Sequence, residues 1–523
     1  MNLNPHFTTI DWFTLGGYGL LLILASWWFS RREQHGTDDY FLARRGVPAW
    51  AAAISLLATS LSAVTFIGGP ETAYKSDLTY LIATLGGVVG VSVVAVFFVP
   101  AFYRQEVTSI YELVGHRFGP HARVLTSVTF MVGRIFASGA RLFVGALPAA
   151  LILFGDTQPA QLTLAIVTLT LVAVAYTIVG GIRTVIWTDV VQTVVFVGAA
   201  IIALVLLFDR IPASTGAIIE ALQNPAEGEP SKLRLVTLGV DPARDGGWID
   251  FSEFYTLLTA LTGLALFNMA AFGTDQDLIQ RSLTCRNAAA GARSAVGGIL
   301  VGIPVTFLFM AVGLLLFIFY RRPDLMGVAS PDYTPPDEQR IFLTFILREL
   351  PPGLTGLMIA GLFAAGLSSI NSALNAMSST FVTDLYRRWR PSSPERHYVF
   401  VGRCAVAGWG VVLAAFAVFC IYWQRASGDR LIDFALKVMI FAYSGLLAVF
   451  LSALFTSRGR GWSAIVALAT GFGVTLLLQP WEWAPWKGER SIAFPWVMLI
   501  ATAIAFAVCI LPPSRDGDTV IAE

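Results

Sequence analysis

Ala58-Thr59-Ser60-Leu61-Ser62-Ala63-Val64-Thr65-Phe66-Ile67-Gly68-Gly69-Pro70 lies inside an apolar run covering 48–74. Its hydroxyls at Ser60, Ser62 and Thr65, followed by Gly68-Gly69-Pro70, predict a helix that breaks within the run. A second run, 252–275, interrupts itself with Thr262-Gly263 and then Gly273-Thr274-Asp275-Gln276. The two are the second and seventh apolar runs, five apart. Paired broken helices at corresponding places in two halves mark a transporter binding site. Unwound backbone at membrane depth frees carbonyl oxygens that protein, ion or water has to satisfy.

The rest of the chain agrees with a membrane setting. Of 523 residues, 56% are hydrophobic and 13% charged, against about 25% charged in a soluble chain. Mean hydropathy is +0.68. About thirteen runs are long enough to span a bilayer, at 12–29, 48–74, 78–103, 122–153, 160–180, 185–208, 252–275, 290–320, 348–384, 399–424, 432–456, 462–479 and 492–511. They read as one membrane domain over 1–523, with an extra N-terminal helix at 12–29, an external loop at 209–250, two peripheral helices over 462–511 and a cytoplasmic tail at 512–523. In the first run Arg31-Arg32 follows the apolar core instead of preceding it, so an uncleaved helix with its N-terminus outside is expected.

Loop arginines support that orientation. Arg31, Arg32, Arg44, Arg45, Arg104, Arg117, Arg123, Arg183, Arg281, Arg286, Arg293, Arg387, Arg388, Arg390, Arg396, Arg458 and Arg460 all fall in alternate loops, which are then cytoplasmic. Arg321 and Arg322 directly follow a span on the other side and run against the pattern.

Several function classes drop out. Net charge is +1, so no nucleic-acid surface is expected. The four cysteines, Cys285, Cys404, Cys420 and Cys509, form no CxxC, and neither a disulfide nor a metal cluster is expected. The five histidines lie outside the apolar runs. No nucleophile–base or metal set lies within the spans, so an enzyme is not expected.

Three constellations carry chemistry. Ala365, Ser368, Ser369 and Ser372 repeat at i, i+3, i+4, i+7 and share one helix face. Sodium is a hard cation that takes oxygen ligands. Two hydroxyls and a loosened carbonyl on this face, completed by carbonyls near Ala58–Leu61, would hold it. Small residues at this spacing also make packing faces, and spacing alone leaves both readings open. Asp189 stands a few residues into the run 185–208. An intramembrane acid is by default functional; with Asn371 and Ser372 it could hold a second cation, and the alternative is a capping acid at the helix start. Arg134 and Arg141, seven apart on one face, are costly at that depth. Arg141 fits a substrate carboxylate through its fork, and an internal salt bridge or snorkelling is the alternative.

With these residues in hand, the chain resembles the sodium:solute symporter family, which includes sodium–glucose, proline, pantothenate, monocarboxylate and sialic acid symporters. The likeness runs from about residue 40 to 456. It is carried by Tyr40–Arg45, Ser55–Gly68, Ser109-Ile110-Tyr111-Glu112, Thr184–Asp189, Gly273–Arg281 and Ser368–Tyr386. The resemblance implies an all-α LeuT-like fold in a plasma membrane, a bacterial inner membrane included. It consists of two inverted five-helix repeats, 48–208 and 252–456, plus peripheral helices. It implies a main sodium site at Ala58, Leu61, Ala365, Ser368 and Ser369. It implies a further sodium at Asp189 with positions 371 and 372, where Asn371 replaces the family's hydroxyl residue. The sialic acid branch is similar at Ser60, Ser62, Thr65, Tyr80 and Thr84 and has an arginine on the next helix, matched by Arg141 or else Arg134. Asn268 and Phe272 fall at binding-site positions of the second broken helix. The expected activity is sodium-coupled import of a small, carboxylate-bearing solute by alternating access, with sodium as the coupling ion and the lipid bilayer as surroundings. A monomer would suffice. A proton-coupled or uncoupled carrier, or a solute sensor or channel, is the rival.

Overall fold

The computed structural model describes residues 7–30, 36–226, 229–240, 249–331, 341–427, 431–479 and 491–513. Arg31, Arg32 and most of the tail 512–523 fall outside them. Every described apolar run is helical, and among the described residues the only β pairing is two isolated bridges.

Helix α1 is Thr9–Ser30. The run 48–74 is a bent pair, α2 (Ala49–Ser60) and α3 (Ala63–Lys75), turning by 62°. The bend lies at Leu61 and Ser62, both extended, and the Ser62 hydroxyl caps α3 by accepting from the Val64 N–H. Gly68-Gly69-Pro70 does not break the chain: Pro70 sits inside α3. Here the prediction is corrected. Proline is tolerated in a membrane helix, and Gly313 packs so closely on it that a Cβ there would fall 2.2 Å from the Pro70 carbonyl oxygen.

Next come α4 (Thr79–Arg104), the short α5 (Tyr111–Phe118) and α6 (Pro120–Phe154). Runs 160–180 and 185–208 form one long helix, α7 (Pro159–Arg210), broken at Gly181. There φ is 60° and ψ −176°, a region that glycine enters without steric cost. The polar stretch 209–250 holds a helix of its own, α8 (Thr215–Gln223).

The second bent pair is α9 (Leu257–Gly273) and α10 (Gln276–Leu283), turning by 59°. Its break is at Thr274-Asp275, with the Asp275 carboxylate accepting from the Asp277 N–H. The other expected interruption, Thr262-Gly263, is a π-helical turn. A Cβ at Gly263 would fall 1.9 Å from the Pro495 carbonyl oxygen, so this glycine serves close packing.

Then follow α11 (Ala288–Arg321), α12 (Ile341–Glu349), α13 (Leu354–Trp389), α14 (Glu395–Ser427), α15 (Leu431–Phe455), α16 (Gly461–Leu477) and α17 (Phe494–Ile510). The run 348–384 therefore starts later than expected, and buried α12 stands apart from it. Among the described residues, eight helices are long and apolar enough to cross a membrane, or ten if each bent pair is one span. Shorter apolar helices, Pro159–Ala175, Gly461–Leu477 and Phe494–Ile510, occupy the other predicted positions.

Packing places α13 at the centre. It lies along α7 and touches α1, α2, α3 and α6, while α11 packs on α2 and α3, and α15, α16 and α17 pack on one another. At one end of α13, Asp384 is fully buried. It accepts from Ser109 at 2.6 Å, Ser127 at 2.8 Å and Arg123 Nε at 2.8 Å. Arg123 also pairs with Glu112. The Ser109–Glu112 motif thus ties α5 and α6 to α13.

Candidate functional site

The break after α2 and the serine face of α13 meet. Ser369 Oγ lies 3.4 Å from both the Thr59 and Ala365 carbonyl oxygens. Ala58, Ala365, Ser368 and Ser369 are each 1% exposed, and Leu61 is half-buried. A face that packed only apolar neighbours would not aim hydroxyls at a loosened turn. Ser369 thus brings the serine face of α13 to the end of α2, next in sequence to Ala58.

Asp189 joins that spot by a route the spacing did not suggest. Its carboxylate accepts from Ser368 Oγ at 2.6 Å and from Ser55 Oγ at 2.5 Å. Asn371 turns elsewhere, its Oδ1 accepting from Thr177 Oγ1 at 3.1 Å, and Ser372 Oγ donates to the Ser369 carbonyl. Among the described residues no hydrogen bond links Asp189 to Asn371 or Ser372. The reason is position along α7: Asn371, one turn on from Ser368, meets Thr177 before the Gly181 break, whereas Ser368 meets Asp189 beyond it.

The two arginines part company. Arg134 is locked, its guanidinium pairing with Asp275 at 2.5 Å, with Asp277, and with Tyr443 Oη at 3.1 Å. Both acids come from the second break. Arg141 forms no ion pair among the described residues. It donates to the Thr59 carbonyl at 3.0 Å and lies 3.8 Å from Met439 Sδ. The expectation that either arginine could meet a substrate therefore narrows to Arg141.

The remaining predicted positions are less uniform. Ser60 is half-buried and donates to the Leu57 carbonyl, Ser62 caps α3, and Thr65 is buried beside it. Tyr80 sets its ring against Tyr255, edge to face at 4.9 Å, within electrostatic reach of Arg141. Thr84 donates to the Leu81 carbonyl. Asn268 donates to Leu264 and faces Gly87 and Gly90 of α4, and Phe272 is buried.

Sequence reasoning missed Ser55 and misread Arg281. Arg281, counted among the cytoplasmic loop arginines, is fully buried on α10. Its Nε donates to Ser55 Oγ at 2.9 Å and its Nη1 contacts Asp277. The signal available was its place in the Gly273–Arg281 motif, four residues after Asp277 on a short helix.

Known proteins resemble this chain over most of its length. The model of the family described as "Sodium:solute symporter family" matches residues 40–471. The sodium/sialic acid symporter SiaT of Proteus mirabilis is 30% identical over 465 residues, covering 88% of each chain. NanT of Aliivibrio fischeri, another sodium/sialic acid symporter, is 28% identical over 90% of this chain and 88% of its own. Among solved structures, a sodium-coupled sialic acid symporter in a substrate-bound outward-open state superposes with a TM-score of 0.80. It has 26% identity and covers 97% of this chain and 99% of that one. The closed form of Mhp1, a nucleobase-cation symporter, matches at TM-score 0.53 with 14% identity and shows the fold alone. The fold is LeuT-like, in a multi-pass plasma-membrane protein, and the chain belongs to the sodium:solute symporter family.

Proposed function

We propose that this chain imports a small carboxylate-bearing solute together with sodium, with sialic acid as the first compound to test. One observation carries the substrate class: Arg141 is 9% exposed yet forms no ion pair among the described residues. A buried cation without a carboxylate is unfavourable by several kcal/mol, so an anionic solute would complete it. The other solute contacts in this reading are Ser60, Ser62, Thr65, Tyr80 and Thr84, with Asn268 and Phe272 on the second broken helix.

Sodium would sit between the Ala58 and Leu61 carbonyls and Ala365, Ser368 and Ser369, joining the broken helix to α13. Binding there favours the conformation in which the two segments touch, and coupling follows from that differential affinity. The bent pairs opening at Ala49 and Leu257 support repeats over 48–208 and 252–456, moving against each other around a midplane site. A second sodium would use Asp189 with Ser368 more readily than with Asn371, since Ser368 bonds to Asp189 and Asn371 bonds to Thr177 instead. The family and the relatives are transporters, and no chemical step is assigned to this chain.

The deciding experiment is thermal stabilisation of purified protein by sialic acid, sugars and amino acids, in sodium or choline. Ligands that bind the native state raise its melting temperature. The expected result is a shift with sialic acid that needs sodium. A shift equally large in choline would remove sodium coupling, and a shift only with uncharged solutes would remove the carboxylate.

A further inference from the structure

Six charges are buried at membrane depth around the site. Arg134, Asp189, Asp275, Asp277 and Arg281 are at most 1% exposed and Arg141 is 9% exposed. They form an almost continuous chain. Arg134 on α6 holds Asp275 and Asp277, and Asp277 meets Arg281 at 3.3 Å. Arg281 Nε donates to Ser55, Ser55 donates to Asp189, and Ser368 of the sodium face donates to the other Asp189 oxygen. Three arginines stand against three aspartates, so the formal charges of these six side chains cancel.

Within this chain the two paired arginines differ. Both forks of Arg134 end on carboxylates. Arg281 keeps one arm spare: Nη2 has no hydrogen-bond partner among the described residues and stands 3.6 Å from Asp189 Oδ2. That is ion-pair distance without a hydrogen bond, a guanidinium held near a carboxylate by charge alone. The Asp189 oxygens are taken by the two serine hydroxyls, one of which belongs to the proposed sodium cage.

We propose that Arg281 is the resident counter-ion of Asp189 in the empty carrier, and that sodium at the Ser368–Ser369 face takes over that role. This rests on the sodium reading given above. Sodium at Ser368 sits one hydroxyl from Asp189 and presents it with a second positive charge. The unbonded Nη2 arm of Arg281 gives way, while Nε stays on Ser55 and Nη1 on Asp277. Once sodium leaves, Asp189 would be an uncompensated charge in a low-dielectric interior, an unfavourable state for the return step. Arg281 then re-pairs, and the empty carrier returns without an ion.

The test uses the full chain in proteoliposomes, with radioactive sodium and sialic acid as probes. Arg281→Gln should lower the half-saturating sodium concentration about tenfold, within the usual range of coupling between sites. Exchange of sialic acid, with sodium and sialic acid on both sides, should persist. Net uptake into sodium-free vesicles should fall about tenfold or more, because only that mode needs the empty return. A residue that merely held the fold would lose both modes together. Arg281→Lys should keep most net uptake. The pair Arg281→Gln with Asp189→Asn removes both charges and should restore the ratio of net uptake to exchange.

Wild-type sodium affinity and transport ratio in Arg281→Gln would overturn the proposal. If that variant does not fold, Arg281→Lys decides: it keeps the charge, and loss of net uptake in it, whether exchange persists or fails, overturns the idea. If the wild type does not carry sialic acid, the sodium-binding measurement decides. A wild type that binds no sodium overturns the sodium reading and this proposal with it.

Discussion

Arg141 Nη1 donates to the Thr59 carbonyl oxygen at 3.0 Å, and Ser369 Oγ reaches the same oxygen at 3.4 Å. The arginine assigned to the solute and a serine assigned to sodium thus share one acceptor at the helix break. Arg141→Gln should raise the KM for sialic acid at least about tenfold, as loss of a charged hydrogen bond of about 1.5–3 kcal/mol does. Protein stability should change little. Uptake at varied solute concentration, with melting temperature as control, checks this.

Arg134→Ala should behave differently. It leaves Asp275 and Asp277 buried without their cation, and breaking a buried pair destabilises by about 3–5 kcal/mol. The expected outcome is a lower melting temperature and poor yield, with no selective change in KM in what folds.

Ser368→Ala and Ser369→Ala should each raise the sodium concentration for half-maximal uptake about tenfold, equivalent to about 1.4 kcal/mol of binding. Sodium titration of uptake in well-expressed variants checks it, and unchanged sodium dependence in both removes this cage.

Asp189→Asn should also weaken sodium binding about tenfold, since it removes the negative charge beside the serine face and leaves Arg281 there, paired to Asp277. Asn371→Ala should shift sodium affinity by less than about twofold, because its side chain bonds Thr177 instead. Radioactive sodium binding to the two purified variants separates them. A large effect at Asn371 with none at Asp189 would reverse the assignment of the second ion.

Gly90→Val tests the platform behind the site. A Cβ at Gly90 would fall 2.3 Å from the Ala265 carbonyl oxygen. Overpacking of this kind is unfavourable by about 1–3 kcal/mol, so α9 has to separate from α4. A lowered melting temperature without sodium or solute is the expected reading.

The amino-acid sequence alone determined the membrane class, the positions of the helical runs and the existence of two broken helices. Hydrophobic length, hydroxyl spacing and glycine or proline breaks are local properties, legible along the chain. It also singled out Ser368, Ser369, Asp189 and both arginines, since polar groups stand out in apolar runs. The location of each break was only half legible. Gly68-Gly69-Pro70 and Gly263 looked like interruptions and are packing features, because what crowds them comes from another helix: Gly313 lies against Pro70 and Pro495 against Gly263. Only the tertiary structure decided partners. Arg134 and Arg141 look alike seven residues apart, yet one faces two aspartates far along the chain and the other a bare carbonyl. Arg281 read as a loop charge because its apolar shelter is built by other helices, and a charge paired at long range carries no local mark of its partner.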